Sequence, residues 1–359
     1  MHNNTMQEEF ESEYDHSKEN NQYSMEEKEI EKKTAIDNID ITEDPQIWGN
    51  DEAPDAYELK HWERKIRIKT DLRLCTIAGI LCGLNLLDSG IMSSASVTTM
   101  FKDLELYGQR YSVSIFIFTI ASVVFQLPST IAVRFIGPRI WFATITFCFG
   151  LITLCTAFIQ NWREMIALRV LLGICMSGVY PGLTYLISVW YTRHEQQVRF
   201  ALLQSGEVVI QSTGSIVNYG LNHLDGRAGM AGWRWMFLVQ GLWTCVLGII
   251  TYWWMVDFPE KANRSFFFLS DREAKIASRR IQADRGDLKT YPFSFGEILR
   301  NFADPKLYGF SCLFFLLNLV STSMSYFLPI ILQSGMGFSS NISILLSTPV
   351  CVDPYFYLN

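Results

Sequence analysis

Three ionisable side chains fall inside long apolar segments of this sequence: Asp88, Arg169 and Glu207. A charge at the centre of a membrane costs at least about 2.5–3.5 kcal/mol, so such residues face a partner or a water-filled cavity rather than lipid. An arginine stays charged at any relevant pH and can hold an anion or a carboxylate. A carboxylic acid beside it can carry a proton. The three residues therefore point to anion binding, ion pairing and proton transfer.

Glu207 has polar neighbours at helical spacing. Gln204, Glu207 and Gln211 stand at positions i, i+3 and i+7 of LLQSGEVVIQSTGSIV, so they share one face of a helix. In a helix bundle that face is expected to line the central cavity. Glu207 could take up a proton there, or it could pair with Arg169 and stay charged. A plain hydrogen bond between helices is the third possibility.

Asp88 and Asn85 lie three residues apart, near the outer third of the first apolar segment. Asp88 could line a central cavity or simply meet the water layer at the membrane surface. Arg169 could likewise form only a structural ion pair near the outer face of the membrane. The residue types leave these alternatives open.

The elements that must position these side chains are apolar segments of about 20 residues, the length that spans a bilayer as a helix. The sequence predicts seven of them and part of an eighth that begins near Ser340 and includes SILLSTPV. The seven lie near residues 72–95, 110–131, 140–159, 164–190, 199–221, 236–256 and 305–333. We therefore expect an all-α integral membrane protein, with the lipid bilayer as its surroundings.

The charge of the chain divides into two unlike parts. Residues 1–59 contain 18 Asp/Glu and 4 Lys/Arg, whereas residues 60–359 contain 18 Asp/Glu and 26 Lys/Arg. The first part has too few apolar residues to offset the entropy of ordering, so it is expected to be a disordered acidic tail. It has no basic stretch followed by an apolar core, and so it does not resemble a signal peptide.

Positive charge predicts the orientation of the helices. Cations precede the first apolar segment, nine more lie in the loop 257–304, and others occupy short loops on the same predicted side. By the positive-inside rule the tail and that loop are cytosolic. Of the three glycosylation sequons, at Asn3, Asn263 and Asn341, only Asn341 would then face outward, close to the membrane. On the predicted cytosolic side, the cations outside the long loop include Arg64, Lys65, Arg67, Lys69, Arg73, Arg134, Arg139, Arg193 and Arg199.

Other functional classes find little support. The eight cysteines are scattered through apolar runs without metal-ligand spacing, and the five histidines lie outside those runs. No phosphate-binding loop, nucleophile motif or dinucleotide fingerprint is present. The basic residues bracket membrane segments, which argues against nucleic-acid binding. We expect no enzyme activity, no metal and no cofactor.

Six helices, a long charged loop and then further helices is the layout of a major facilitator transporter. The sequence contains PSTIAVRFIGPRIW, ALRVLLGICMSGVYPG, WYTRHEQQVR, LDGRAGMAGWRWMFLVQG and the loop FPEKA…FLS…E…RR…DRG. In these motifs the chain resembles the fungal anion:cation symporters of the allantoate permease family, over roughly residues 60–350. The resemblance implies proton-coupled import of a small organic anion, such as a carboxylate, a vitamin-like acid or a sulfur-containing acid. The motifs do not identify the anion, because members with different substrates share them. The implied location is the plasma membrane.

The resemblance also assigns roles to the charged residues. Arg169 and Gly173 match an R-x-x-x-G motif whose arginine is associated with proton coupling. Asp88 matches an acid at the end of the first helix, but Ser89 stands where the family has an arginine. Glu207 occupies a position that is commonly small or apolar, which marks it as a feature specific to the substrate.

Two short loops resemble the cytosolic gating motif of the family. In the loop between the second and third helices Gly137 and Arg139 match, whereas Arg134 stands where the superfamily has an acid. Arg193, Glu195 and Arg199 fit the loop between the fourth and fifth helices. Together the six residues are expected to latch the cytosolic side while the carrier is open to the outside. The alternative is that these cations have no gating role and only reflect the positive-inside rule.

The resemblance predicts four regions. Residues 1–59 form the cytosolic tail, 60–256 a six-helix transporter half, 257–304 a cytosolic loop, and 305–359 an incomplete second half with a seventh helix and a stub of the eighth. Family members have two six-helix halves around a midplane site. We therefore expect a truncated form of a longer transporter, working with a separately encoded second half or a second copy. The alternative is a non-transporting membrane protein, either a degenerate product or a sensor.

Overall fold

The computed structural model of the chain describes residues 56–259, 268–285 and 305–347, and every regular element in these ranges is a helix. The predicted tail lies outside the described residues except for its last four, as do parts of the loop 257–304 and the end of the chain. The helices are α1 (Ala56–Thr70), α2 (Thr76–Ser96), α3 (Met100–Asp103), α4 (Arg110–Ile136), α5 (Pro138–Thr156), α6 (Trp162–Met176), α7 (Val179–Trp190), α8 (Arg193–Asn222), α9 (Gly232–Trp254), α10 (Asp271–Arg285), α11 (Pro305–Met336) and α12 (340–347). A π-helical turn, Asp71–Cys75, joins α1 to α2 without a break.

The prediction of an all-α membrane protein is confirmed, with helices at all eight predicted places. Among the described residues, six helical stretches are long and apolar enough to cross a membrane: Lys60–Ser96, Arg110–Ile136, Pro138–Thr156, Trp162–Trp190, Gly232–Trp254 and Pro305–Met336. The remaining long helix, α8, spans 30 residues but is more polar. Its buried side chains include Glu207, Gln211 and Asn218.

Helix α8 nevertheless belongs to the bundle, because it packs closely along α2. A Cβ atom on Gly206 would lie only 3.1 Å from the Cα atom of Gly79, so the two backbones almost touch. Further along the same contact, Gly83 accommodates Ile210 and Gly214 accommodates Leu87. Small residues allow such close approach in membranes, where van der Waals packing rather than water drives helix association.

The most extensive contact in the bundle joins α5 to α9. Three glycines form its seam. A Cβ atom placed on Gly241 would lie 2.6 Å from the Leu154 nitrogen, and one placed on Gly248 would lie 2.7 Å from the Phe147 nitrogen. In the other direction, a Cβ atom on Gly150 would lie 2.6 Å from a backbone nitrogen of α9. These helices therefore meet backbone to backbone.

The fourth membrane-spanning stretch is broken between α6 and α7. Pro181 has no N–H to donate to the Ser177 carbonyl, so the regular hydrogen-bond ladder fails at that point. Gly178 lies in the break, and a Cβ atom there would collide with the Ser129 hydroxyl of α4 at 1.9 Å. The glycine thus lets α4 approach the kink.

Apolar packing in the bundle forms two clusters, one at each end. The cluster at the end that holds α1 and α10, the α1-end cluster, includes Leu84, Phe142, Leu172, Leu186 and Trp190. The cluster at the opposite end, beside α3, is the α3-end cluster and includes Ile91, Met165, Trp233, Phe237, Tyr326 and Ile344. Along both α2 and α6 the membership changes from one cluster to the other at a charged residue, Asp88 and Arg169 respectively.

Candidate functional site

Asp88 and Arg169 form a buried ion pair at the boundary between the two clusters. Arg169 Nη1 donates to Asp88 Oδ2 at 2.6 Å, and the two side chains are only 4% and 2% exposed. Arg169 Nη2 lies 3.1 Å from the sulfur of Met92. Asp88 Oδ1 has no hydrogen-bond partner among the described residues. The pair therefore combines a permanent cation with an acid that retains one free oxygen.

Tyrosines from two further helices meet at this pair. The Tyr111 hydroxyl, from α4, donates to the backbone carbonyl of Tyr326, from α11, at 3.4 Å. Both phenol groups lie close enough to Asp88 and Arg169 to interact electrostatically with them. Four helices, α2, α4, α6 and α11, thus converge on one buried charge pair.

Glu207 is buried at the contact between α8 and α2, away from that pair. Gln204 Nε2 donates to Glu207 Oε2 at 2.7 Å, and Cys82 of α2 lies nearby. Arg169 pairs with Asp88 instead, so the possible pairing of Glu207 with Arg169 does not occur in this structure. The carboxyl group sits in a small polar patch between two helices.

The other residues of the predicted site are spread along the same two helices. Gln211 is buried, and its backbone carbonyl accepts the Ser215 hydroxyl at 3.3 Å. Asn85 is half-buried about one turn before Asp88. The structure therefore brings Asp88 and Arg169 together, and Gln204 and Glu207 together, but as two separate groups.

A buried amide network was not predicted. Asn218 Nδ2 of α8 donates to the Ser94 hydroxyl of α2 at 3.2 Å, and Gln240 of α9 donates to the Asn218 side-chain oxygen. The Gln240 Oε1 atom has no partner among the described residues. Burying an unpaired amide is costly, just as burying a charge is. The argument that identified the charged residues could therefore also have identified Asn218 and Gln240 from the sequence.

The first predicted gating motif spans the junction of α4 and α5, with Arg134 in the last turn of α4, Gly137 between the two helices and Arg139 in the first turn of α5. The Arg134 guanidinium lies over the Tyr185 ring at 4.5 Å, and Arg139 Nε donates to the Tyr252 carbonyl at 2.7 Å. Gly137 has φ of +96°, and a Cβ atom there would lie 3.3 Å from a carboxylate oxygen of Asp257. An acid from the end of α9 thus stands beside the loop in which Arg134 replaces the expected acid.

The second predicted gating motif lies in the first two turns of α8 and contacts both α1 and α10. Glu195 forms ion pairs with Arg67 of α1, at 2.7 Å, and with Arg280 of α10. Arg199 binds both carboxylate oxygens of Asp71, at 3.1 and 2.7 Å. Arg193 is exposed at the start of α8. The sequence did not predict that α10 would dock here.

Helix α10 is held to α1 by a second ion pair. Lys69 Nζ donates to Glu273 Oε1 at 2.7 Å, and Glu273 Oε2 accepts the Ser270 amide at 3.0 Å in a capping arrangement. Burial alone raises the pKa of Glu273, but these hydrogen bonds from Lys69 and Ser270 hold that pKa below its ordinary value. The Trp190 and Phe268 rings pack edge to face beside them, with centroids 5.7 Å apart.

No cluster of three or more metal-ligating side chains occurs within the described ranges. A groove of about 360 Å³ opens at the α3 end and is lined by residues that include Lys102, Asn222, Asp225 and Gln333. The Asp88–Arg169 pair is not part of that lining. Among the ion pairs that the structure describes, Asp88–Arg169 is the most deeply buried.

The chain matches known transporters over most of its length. Residues 78–352 match the family model of the Major Facilitator Superfamily. The chain is 30% identical over 298 residues to the MFS-type transporter cnsO of Penicillium expansum, covering 82% of this chain and 57% of that protein. It is 27% identical over 289 residues to the high-affinity nicotinic acid transporter of Saccharomyces cerevisiae, covering 80% and 53% respectively. The chain thus spans little more than half the length of these curated relatives.

A solved structure supports the same fold. A bacterial homologue of the human lysosomal transporter Spinster, in an inward-facing and unoccupied conformation, has a TM-score of 0.57 at 14% identity, covering 77% of this chain and 59% of that one. The relatives are transporters rather than enzymes. From the family match and the helical bundle it follows that this chain belongs to the major facilitator superfamily of membrane transporters.

Proposed function

We propose that the chain serves proton-coupled import of a small organic anion, as in the allantoate permease-like group of fungal carriers. The observation that carries the proposal is the buried Asp88–Arg169 pair, with its free carboxylate oxygen. The anion would be a carboxylate, a vitamin-like acid or a sulfur-containing acid. The partners of the protein are then the anion, protons and the lipid bilayer.

The pair couples a proton to an anion by simple charge balance. With Asp88 ionised, the Arg169 charge is neutralised and an incoming anion has little to gain. When Asp88 accepts a proton, Arg169 is left buried without a counter-ion, which is strongly unfavourable. An anion that binds Arg169 removes that penalty. Proton binding and anion binding therefore favour each other, and by linkage the coupling is reciprocal.

Glu207 is the second candidate for a proton carrier, with Gln204 and Gln211 beside it on the same helix and Asn85 on the facing one. Its burial at the contact with α2 supports a role in transport or in holding α2 against α8, and Gln204 of the same helix donates to its carboxylate. Because Asp88 rather than Glu207 forms the ion pair with Arg169, we assign the coupled proton to Asp88 and a supporting role to Glu207.

The α1 end of the bundle is proposed to face the cytosol. The exposed cations of α1 and of the short loops at that end support this orientation through the positive-inside rule. The gating motif is proposed to act there, because its residues make contacts at that end. Glu195 pairs with α1 and α10, Arg199 pairs with Asp71 of the π-helical turn, and Gly137 lies beside Asp257 just after α9. Residues 60–256 then form the first transporter half and 257–304 the cytosolic connection, in a carrier of the plasma membrane. A separate second half or a second copy stays a prediction that no comparison supports.

Uptake measurements test the proposal. The chain is expressed in yeast cells that lack their own nicotinate carrier, and uptake of radiolabelled nicotinate, allantoate, pantothenate and biotin is followed as the external pH is lowered. We expect uptake of one of these acids to rise with external acidity and to collapse in the Arg169→Gln variant. Arg163→Gln is the matched control, because that arginine is exposed at the start of the same helix.

Asp88→Asn gives a separate result. The amide removes the titrating group but not the Arg169 charge, so any remaining uptake should no longer depend on external pH. Uptake by the unaltered chain that is independent of pH would exclude proton coupling. Unchanged uptake in Arg169→Gln would exclude the charge pair as the site.

A further inference from the structure

The groove at the α3 end is a second polar feature of the fold, apart from the charge pair. Its volume is about 360 Å³, within the range of pockets that hold small organic molecules. It lies where the α2–α3 junction and the end of α8 meet α11 and the start of α12. Its lining includes Thr99, Lys102, Asn222, Asp225, Gln333 and Ser340. A molecule in the groove would therefore contact several separate parts of the chain.

Hydrogen bonds between side chains hold the walls of the groove and use up amide N–H groups. Gln333 Nε2 donates to the Val97 carbonyl at 3.2 Å and to the Ser340 hydroxyl at 2.9 Å. Asn222 Nδ2 donates to Asn341 Oδ1 at 2.6 Å. The side-chain oxygens of Gln333 and Asn222 accept no hydrogen bond from a described residue. The two amides therefore keep more free acceptor capacity than donor capacity.

The groove also has one cation and one acid that do not pair with each other. Lys102 is exposed, and its ammonium group forms no hydrogen bond or ion pair within the described ranges. Asp225 Oδ1 accepts the Gly232 backbone amide at 2.7 Å, which holds the carboxylate in place. Asp225 Oδ2 has no partner in the part of the chain that the structure describes. The lining thus combines one free ammonium with three free oxygens.

These groups select a ligand by charge and by hydrogen bonding. A carboxylate complements the Lys102 ammonium. N–H groups on the same ligand complement the three oxygens, because each oxygen can accept a hydrogen bond but cannot donate one. An acid without N–H groups would displace water from those oxygens and give them no donor in return, which is costly. A small carboxylate that carries N–H groups therefore fits the groove better than a hydrocarbon acid of the same shape.

We propose that the groove is a second binding site, and that its ligand is a small carboxylic acid carrying amide-type N–H groups. Lys102 binds the carboxylate, and the three oxygens accept the N–H groups. The inference does not rest on the proposed transport function, because neither Asp88 nor Arg169 lines the groove. In the proposed orientation the site lies at the outer surface, where it would raise the local concentration of such an acid.

Two small acids of nearly equal shape test the ligand class. N-Acetylglycinate and levulinate differ in a single N–H group, which levulinate replaces with a methylene group. Binding of each acid to the purified full chain in detergent is measured by saturation-transfer NMR, which detects weak ligands. We expect N-acetylglycinate to bind about fivefold more tightly, the effect of one uncharged hydrogen bond. Equal affinities would overturn the proposed ligand class.

Lys102→Gln tests the contact with the carboxylate. Loss of the charge should weaken binding of both acids about threefold to fivefold, as expected for an ion pair at an exposed site. Arg227→Gln is the matched control, because Arg227 is an exposed cation at the same end of the bundle but does not line the groove. Equal effects of the two changes would overturn the site. Should Lys102→Gln fail to fold, salt gives the same test, since binding should weaken as ionic strength rises.

Asp225→Asn should affect the two acids differently. The new amide can still accept the Gly232 N–H through its oxygen, but it places an N–H group where Oδ2 was and removes a negative charge. The preference for N-acetylglycinate should therefore fall, whereas levulinate should bind at least as tightly as before. Equal loss of both acids, in a variant that still elutes as a single peak, would overturn the role of Asp225.

Arg169→Gln separates the groove from the charge pair. Binding of N-acetylglycinate should stay within about twofold in this variant, because Arg169 does not line the groove. Loss of binding in a folded Arg169→Gln chain would assign the ligand to the charge pair and overturn the second site. Uptake that is independent of pH, together with intact binding in the groove, would reject the proposed function alone.

Discussion

The glycine seam between α5 and α9 gives the sharpest stability prediction, through the change Gly241→Ala. A methyl group on Gly241 would lie 2.6 Å from the Leu154 nitrogen and 2.8 Å from its Cα, whereas ordinary contacts are 3.4–4 Å. The atoms it meets belong to backbone and cannot turn aside. The two helices must therefore separate by roughly 1 Å at this point, or α5 must bend.

The size of the effect follows from two opposing contributions. Overpacking of this kind costs about 1–3 kcal/mol, and separation of the helices weakens dispersion contacts along the rest of the seam. Alanine regains about 0.5–1 kcal/mol relative to glycine inside a helix. We expect a net loss of about 1–2 kcal/mol, which corresponds to a fall of roughly 2–8 °C in apparent melting temperature.

The measurement is thermal unfolding of the purified full chain in detergent, followed by the loss of its monodisperse peak in size-exclusion chromatography. Gly220→Ala is the matched control, because Gly220 is also in a long helix but a Cβ atom there would meet nothing within 4 Å. It should leave the melting temperature unchanged or raise it slightly. Gly248→Ala added to Gly241→Ala should cost less than the sum, since separated helices already admit the second methyl group.

An unchanged melting temperature in Gly241→Ala would refute the close backbone contact of α5 and α9. Equal losses in Gly241→Ala and Gly220→Ala would show that helix flexibility, rather than the seam, determines the result. Full additivity of the two losses in stability would also contradict the argument, because the helices would then not have been separated by the first methyl group.

Three further predictions concern charges and backbone strain. Asp88→Asn should destabilise the chain by about 3–5 kcal/mol, since it leaves Arg169 buried and unpaired. In a thermal double-mutant cycle, replacing both residues by apolar ones should cost less than either single change. Because the hydrogen bond from Lys69 helps to lower the Glu273 pKa, docking of α10 should persist above the ordinary glutamate pKa and weaken as the pH falls through the lowered one. Limited proteolysis should show this, and Glu273→Gln should reduce the pH dependence by the share that Glu273 contributes. Gly137→Ala should cost about 1–3 kcal/mol in thermal unfolding, because φ of +96° with ψ of 144° is a conformation almost confined to glycine.

Hydropathy was sufficient to find the helices of the membrane bundle, but not the polar helices α1 and α10. The predicted spans 110–131 and 305–333 correspond to Arg110–Ile136 and Pro305–Met336, because a run of about 20 apolar residues has few other stable states. The predicted span 199–221 was also a helix, although its polar face makes α8 less apolar than the others. Its packing against α2 compensates for the buried polar groups, which is a property of the bundle rather than of the segment.

The pairing of the charged residues was beyond the sequence. The same cost argument identified Asp88, Arg169 and Glu207, but it did not decide which acid meets the arginine. Successive residues point about 100° apart around a helix, so a small rotation of α2, α6 or α8 exchanges one partner for another. The docking of α10 was missed for the same reason, since Glu273 and Arg280 find partners far away in the chain.

The division of apolar packing into two clusters has a consequence for how the chain loses its structure. Cooperative unfolding depends on apolar side chains that contact one another. At the level of Asp88 and Arg169 an ion pair separates the two apolar clusters. The two ends should therefore behave as separate units of local unfolding, joined by continuous helices. Substitutions in either cluster can then accumulate over evolution without disturbing the other, whereas a change in the ionic layer is felt by both.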